Sequence, residues 1–312
     1  MMKIGLLGVW HVHASDYLRV AREMGAEVLG AWDPNAEMLA AFCKEKNLPA
    51  FESREALLAS DVQGVICCSS TDRHPQDIIA AAVAGKDIFT EKVLALSTSE
   101  CEEVEDAVNQ AGVRFVISTP QKYTAGPRTV KQLVENGKVG KVNYFRFRNC
   151  HGGSVDRWLP EHFFHAGECG GGAMIDLGAH GMYLLDWFLG QPECGRSVFT
   201  IADENAKNID RLEDNAVTVF SYPNGTIALN ETGFDSVGCP MRLEIGGDKG
   251  YIVWEGDTVT LSDHTAVGQK IPLIPAQPLP IYQFMKEEIL PGCDMQTAKG
   301  LTRLMELAYR AN

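Results

Sequence analysis

The sequence predicts an α/β protein whose amino-terminal part is a doubly wound parallel sheet and whose carboxy-terminal part is a second, α+β domain. Three observations carry that expectation. Short β-like runs alternate with helical ones from Lys3 to about Ser118, Gly8 closes the first run directly before a helical segment, and after Pro120 the rhythm changes to strands separated by turn signals.

Taken in order, the β-like runs are KIGLLGV, AEVLGAWD, GVICCSS, DIFTE and VRFVIS, with segments such as DIIAAAVAG and SECEEVEDAVNQAG between them. Strands alternating with helices imply parallel βαβ units. Gly85 and Gly112 stand where a left-handed residue closes a helix. Beyond Pro120 come a helix (PRTVKQLVENG), a strand (KVNYFRFRNC), a glycine-rich loop and a further helix. YPNG at 222–225, GGDKG at 246–250 and EGD at 255–257 are spaced as the turns of an antiparallel meander. The segment TAKGLTRLMELAYRAN reads as a closing helix with Leu301, Leu304, Met305 and Ala308 on one face. Residues 1–120 and 121–312 are therefore expected as two domains, the final helix able to pack back on the first, and no internal repeat is present.

Bulk properties narrow the function. A chain of 312 residues with 45% hydrophobic and 22% charged residues is an ordinary globular composition. Apolar runs such as GVICC are far too short to cross a bilayer, and the amino terminus lacks the pattern of a signal peptide, so a cytoplasmic location is expected. Nine cysteines with no CxxC pair fit free thiols in a reducing compartment. The formal net charge of −13 disfavours nucleic acid and anionic membrane surfaces, which leaves a small-molecule ligand.

The stretch GLLGVWHVHA, residues 5–14, has the strand–turn–helix setting of a dinucleotide-binding fingerprint but departs from its pattern. Aligned on Gly8, the run is Gly8-Val9-Trp10-His11-Val12-His13, so Trp10 and His13 stand where two glycines belong. The backbone amides from Val9 to Val12 are still expected to meet a pyrophosphate at the helix start, with Trp10 and His13 turned aside. Asp33, at the end of the second strand, is placed to accept from a ribose 2′-hydroxyl and to repel a 2′-phosphate, which favours NAD over NADP. Asp33-Pro34-Asn35 also suits an Asx turn that starts a helix, and both readings stay open. A His-x-His turn more often packs or caps than ligates, and no metal is expected here.

The segment ICCSSTDRHPQDIIAAAVAGKDIFTEKV at 66–93 and the run GGGAMIDLGAHGMYLLDWFLG at 170–190 resemble the Gfo/Idh/MocA family of sugar and polyol oxidoreductases. In the first, Asp72 stands in for the Asn of a Pro-Asn-x-x-His-like turn, His74 matches its His, Gly85-Lys86 and Glu91-Lys92 match, and Val93 replaces a proline. The second follows the family's Gly-Gly-Gly-x-x-x-Asp-x-Gly-x-His run with few departures. Weaker echoes at 134–142, 213–234 and 243–252 extend the likeness over nearly the whole chain.

That resemblance implies a Rossmann domain and an open, largely antiparallel sheet whose free face pairs with another subunit, hence a homodimer or homotetramer. It implies NAD as cofactor, held by Gly8, Val9, Trp10, His11, Val12, Asp33, Ser69, Ser70, His74, Glu91 and Lys92. It also implies catalytic roles for Lys92, Asp176 and His180, converging in the cleft between the domains. Oxidising a secondary alcohol needs a base near neutral pKa, which suits His180, with Asp176 on the same helical face to hold it. Lys92, at a strand's carboxyl end, is suited to stabilising charge on the reacting oxygen, and Glu91 to orienting it. In the loop HGGSVDRWLPEHFFHAGECGG, His151, Arg157, Trp158, His162 and His165 offer ring stacking and hydroxyl contacts to a carbohydrate, as do Lys122 and the adjoining Tyr123. His162-x-x-His165 lacks a ligand framework, so no metal is expected there either. The alternatives are a redox-neutral lyase or glycosidase using tightly bound NAD, and a non-catalytic binding relative whose altered turn has weakened cofactor use.

Overall fold

The alternating runs of the amino-terminal half form five strands, β1 (Lys3–Leu7), β2 (Glu27–Trp32), β3 (Gly64–Cys67), β4 (Asp87–Thr90) and β5 (Phe115–Ile117). Between them lie α1 (Ala14–Glu23), α2 (Ala36–Lys46), α3 (Arg54–Ala59), α4 (His74–Val83) and α5 (Thr98–Ala111). The computed structural model describes residues 2–202, 204 and 206–310. All five strands pair in parallel, in the order β2-β1-β3-β4-β5. Sheet growth reverses between β1 and β3, and it is beyond the carboxyl ends of the strands at such a switch point that α/β sheets bind ligands.

Local chemistry explains these elements. The central strand β3, GVIC, is buried along its whole length, as a strand covered by helices on both faces must be. Helix α5 begins with a reciprocal capping box between Ser97 and Glu100 and ends at Gly112, whose φ of 65° is the left-handed conformation expected there. Leu7, Val65, Ile78, Ile88, Val104 and Ile117 share one apolar core with Ala298, far along the chain.

The second unit holds α6 (Ala125–Glu135), β6 (Val142–Cys150), α7 (Ala166–Cys169), α8 (Ala173–Asp176) and α9 (Gly178–Leu189). It continues with β7 (Cys194–Thr200), β8 (Asn215–Ser221), β9 (Ile227–Gly233), β10 (Arg242–Gly247), β11 (Gly250–Glu255), β12 (Thr258–Asp263) and β13 (Gln269–Ile271). The eight strands run in the order β13-β12-β11-β10-β6-β9-β8-β7. The expected turns at 222–225, 246–250 and 255–257 link β8 to β9, β10 to β11 and β11 to β12. Two antiparallel arms meet at a parallel β6–β9 pair, which the long excursion through α7, α8 and α9 makes possible.

Alternation along β6 points Phe145, Phe147 and Asn149 inward and leaves Tyr144, Arg146 and Arg148 on the other face. Helix α9 covers the inward side, where Asn230 of β9 donates from Nδ2 to the Gly178 carbonyl at 2.8 Å. The last helices are α10 (Pro280–Lys286) and α11 (Met295–Arg310). The sequence reading put the second domain at 121–312 with the final helix able to pack back on the first; the structure groups Pro278–Thr302 with the first unit, and the second unit holds Thr119–Gln277 and the chain from Arg303 on. Leu301, Leu304, Met305 and Ala308 are all buried, as the periodicity predicts.

The approach of α9 to β9 is close enough to specify glycine at 181, where a Cβ would overlap the Asn230 side chain and lie 2.8 Å from Cδ1 of Phe147. Both neighbours are fully buried. Gly181→Ala is expected to destabilise the protein by about 1–3 kcal/mol, the usual cost of overpacking. A urea midpoint equal to that of the parent would show that the helix can lift without loss.

Candidate active site

The turn after β1 is shaped by one backbone contact. Gly8 has φ of 87°, and a Cβ there would overlap the backbone nitrogen of Ser69 after β3. The amides that follow are largely committed within the fold. Val9 N–H donates to Asp33 Oδ2 at 2.8 Å and His11 N–H to the Cys68 carbonyl at 3.0 Å. Two of the four amides that the sequence offers to a pyrophosphate therefore already have acceptors. Trp10 and His11 are buried, and Val12 is exposed.

Asp33 forms the Asx turn that is one of its two sequence readings. Its Oδ1 accepts from Asn35 N–H at 2.8 Å, the Asx turn, and the Asn35 side chain caps α2 through Met38 N–H. Each carboxylate oxygen keeps a further lone pair for a hydroxyl. Burial, outweighing the two amide bonds, pushes the Asp33 carboxyl up from its ordinary pKa. Beside it opens a cavity of about 480 Å³ lined by residues including Trp32, Ala36, Leu39, Phe51 and Arg54.

At the ends of β3 and β4 the structure assembles a buried polar cluster. Ser69 and Ser70 are buried, Ser70 donating to Asp72 Oδ1 at 2.5 Å. His74 is buried with Nδ1 at 2.8 Å from the Val93 carbonyl. A carbonyl only accepts, so Nδ1 carries the proton, and burial lowers the imidazole pKa and keeps the ring neutral. His74 thus secures the turn that follows Lys92, whose peptide bond to Val93 is cis.

Glu91 is 0% exposed. Its Oε1 accepts from His13 Nδ1 at 2.8 Å and from the Tyr17 hydroxyl, and its Oε2 from Lys92 N–H at 2.9 Å. Burial pushes the Glu91 carboxyl up, but His11 and His13 outweigh it and hold the pKa well below the usual carboxylate range. Tyr17, buried and beside that anion, keeps its proton. Because its one hydroxyl hydrogen points to Glu91, it accepts from Ser118 Oγ at 2.8 Å. Lys92 itself is buried.

In the second unit Asp176 closes α8 and His180 lies in the first turn of α9. Leu177 between them keeps right-handed helical angles, φ −75° and ψ −36°, so the four-residue helical spacing survives the break. His180 Nδ1 is 2.8 Å from the Tyr183 hydroxyl, which accepts from Gln121 N–H at 3.1 Å. Gln121 and Lys122 share the 3₁₀ turn Pro120–Tyr123, where Lys122 and Tyr123 are buried. The run before Asp176 is fixed by Glu213, whose Oε1 accepts from Gly172 N–H at 3.0 Å, Met174 N–H at 3.1 Å and the Tyr309 hydroxyl at 2.6 Å.

The loop after β6 is built around His151, which stacks on Phe234 with ring centroids 5.2 Å apart and an interplanar angle of 10°. Trp158 is tilted against the same ring at 4.7 Å and 55° and is 53% exposed, an available stacking surface. Arg157 takes φ of 60° and bonds the Ser154 carbonyl. His162 lies beside Phe163, and His165 Nδ1 is 3.4 Å from Glu168 Oε1. The structure thus gathers Val9 with Asp33, His11 with His13 and Glu91, and His151 with Trp158. Tyr17, Ser118, Tyr183 and Glu213 are participants that the sequence reading missed. Tyr17 and Tyr183 follow His13 and His180 at helical spacing, a legible signal, whereas Glu213 carries none.

Residues 2–119 match the oxidoreductase family described by an NAD-binding Rossmann fold, and residues 128–253 match the GFO/IDH/MocA C-terminal domain. An uncharacterized oxidoreductase of Streptococcus pneumoniae is 32% identical over 153 residues, 48% of this chain and 40% of that protein's length. A 1,5-anhydro-D-fructose reductase of Ensifer adhaerens is 24% identical over 289 residues, 88% of this chain and 84% of the relative. The solved aldose-aldose oxidoreductase of Caulobacter crescentus, complexed with glycerol, has a TM-score of 0.81 at 18% identity, over 99% of this chain and 97% of that one, a likeness of fold.

The lowered Glu91 pKa makes a signed prediction. A carboxyl whose folded pKa is depressed contributes stability that is fully present above its unfolded value, about 4.3, and is lost as pH falls toward the folded one. Urea unfolding should therefore find Glu91→Gln less stable than the parent at neutral pH, with the gap closing as the solution is acidified. A gap independent of pH would remove the charge of Glu91 from the account.

Proposed function

The chain belongs to the Gfo/Idh/MocA oxidoreductase family, and on that premise we propose that it moves hydride between NAD and a secondary hydroxyl of a sugar, polyol or related carbohydrate. The observation that carries this reading is Lys92, a cationic side chain buried at the carboxyl end of β4 in a sheet with a switch point. The relative named 1,5-anhydro-D-fructose reductase supports a carbohydrate as substrate.

The residues fit a dinucleotide. Gly8 runs so near Ser69 that no side chain is tolerated, as a phosphate-cradling turn requires, and the cavity beside Asp33 is of a size for an adenosine. Asp33 would accept the ribose hydroxyls. Arg54 lines that cavity while pairing with the buried Asp77 at 3.2 Å, so the preference for NAD rests on the Asp33 carboxylate, which would repel a 2′-phosphate. When bound, NAD supplies the hydride acceptor or donor.

Lys92 would hydrogen-bond the reacting oxygen and stabilise its charge. His180 would take the hydroxyl proton at Nε2, which requires Nδ1 to hold a proton and donate it to Tyr183; that oxygen, already accepting from Gln121, is positioned by the backbone to receive it. Asp176 would stabilise the imidazolium so formed. Trp158 would stack on the sugar ring, and His151, Arg157, His162, His165 and Lys122 would meet its hydroxyls. Its Nδ1 accepting from Gly153 N–H at 3.1 Å, neutral His151 presents Nε2–H as a donor. The outward face of the large sheet, with the Arg146–Glu231 pair and the exposed Val198, would take a second copy of the chain. All nine cysteines are free thiols, in keeping with a reducing cytoplasm. No helix among the described residues is long and apolar enough to cross a membrane.

The engaged amides of Val9 and His11 favour, as a second reading, a binding relative with weak cofactor use. Incubation with NAD and a panel of aldoses and polyols separates them, because the dehydrogenase accumulates NADH at 340 nm and the binding protein does not. Absence of NADH with every substrate would overturn the proposal. NADH should bind tighter than NADPH, and Asp33→Ala should narrow the difference; equal binding by the parent would take Asp33 out of that role. His180→Ala should lower turnover by about 10²- to 10⁴-fold while leaving NADH affinity nearly unchanged, and should remove an ionisation from the rising limb of the pH–rate profile for alcohol oxidation. Full activity in that variant would end the general-base assignment.

A further inference from the structure

The geometry points to a divalent-cation site formed by His11, His13 and Glu91, taking a first-row ion such as zinc. Among the described residues these are the one group of three potential ligands found together, one donor atom from each lying within 4.8 Å of the others. They come from two separate segments, the turn after β1 and the end of β4. Two imidazoles and a carboxylate, leaving a position for water, are the donor set of catalytic zinc sites.

Neither capping nor core packing accounts for His13, whose pairing with Glu91 sets two potential ligands side by side. It stands at the N-cap of α1 but makes no side-chain cap, and its side chain is 42% exposed, so it is not there to fill the core. Its Nδ1 faces Glu91 Oε1 at 2.8 Å. Ligand atoms on a tetrahedral zinc, with bonds of about 2.0–2.2 Å, sit about 3.3 Å apart, so a parting of roughly half an ångström admits the ion between them. The other imidazole is close behind, the His11 and His13 ring centroids being 4.6 Å apart; His11 Nδ1 accepts from His13 N–H at 3.2 Å, so Nε2 carries the ring hydrogen and Nδ1 gives up that bond to ligate.

The surroundings suit a held metal. Tyr17 donates to Glu91 Oε1 and Lys92 N–H to Oε2, and Ser118 supports Tyr17 at 2.8 Å, so the carboxylate keeps its orientation when His13 turns from it to the ion. Buried Trp10 neighbours His11 and buried Tyr17 neighbours His13, with ring centroids 6.1 and 6.0 Å apart, while the exposed part of His13 offers an entry path. The charge balance is direct. The proton now between His13 and Glu91 leaves to solvent as the dication enters, so the site exchanges one proton for two positive charges.

The test uses the full chain without an affinity tag, stripped by a chelator and titrated with Co²⁺ in the absence of dinucleotide, so its outcome is independent of the hydride-transfer reading. Expected are saturation at one ion per chain, visible d–d absorption of a low-coordinate N/O site, and proton release. His13→Ala should weaken uptake by more than about 100-fold, since even the outer partners of metal ligands are worth about 10- to 100-fold. Glu91→Gln should do the same, and because that change is deep in the fold, the half-exposed His13 is the deciding position. No saturable uptake, or uptake in His13→Ala and His11→Ala with the affinity of the parent, would overturn the site.

Discussion

Glu91 is a carboxylate with no solvent exposure, and an anion taken so far from water survives only if the fold brings donors to it. The donors come from three directions. His13 arrives from the start of α1, Tyr17 from one turn further along that helix, and the Lys92 amide from the next residue of the chain. Through Tyr17 the network reaches Ser118 at the end of β5. One buried charge therefore ties together the carboxyl ends of β1, β4 and β5, the edge at which a parallel sheet presents its ligand. Loss of a single donor would leave the charge partly unmet, which explains why so many side chains are spent on one residue.

Elements defined by period and punctuation were legible in the sequence. The apolar runs of the first unit became its five parallel strands, Gly112 closed α5, and YPNG, GGDKG and EGD became turns of the large sheet, because each signal lies within a few residues of the structure it dictates. The parallel pairing of β6 with β9 was not legible, since it joins strands some eighty residues apart and depends on how an intervening helical excursion packs. The return of the final helix toward the first unit was allowed for by the sequence, but the segment from Pro278 that joins it was not, since that rests on tertiary packing around residues such as Ala298.

The candidate site divides in the same way. Residue types at fixed spacing, Glu91-Lys92 and the Asp176-to-His180 step, could be picked out, and Tyr17 and Tyr183 lay within reach of the same helical rule. What could not be read was where hydrogen bonds end. Whether Asp33 serves a ribose or an Asx turn was open from the sequence, and the structure gives it the Asn35 amide and the Val9 amide together. Glu213 gathers Gly172, Met174 and Tyr309 across more than a hundred residues of chain. Nothing local to any of the four announces the others.

The departures from the glycine fingerprint acquire a common physical sense in this light. A glycine-rich turn binds an anion by leaving backbone amides unpaired and pointing outward. Here the amides of Val9 and His11 are turned inward to Asp33 and Cys68, which gives up part of that neutral cradle. The residues that replaced the glycines supply something different, a buried Trp10 and a partly exposed His13 whose Nδ1 meets the buried Glu91 carboxylate. The turn thus gives up part of its capacity to hold an external anion and commits donors to an internal one, the buried Glu91 carboxylate.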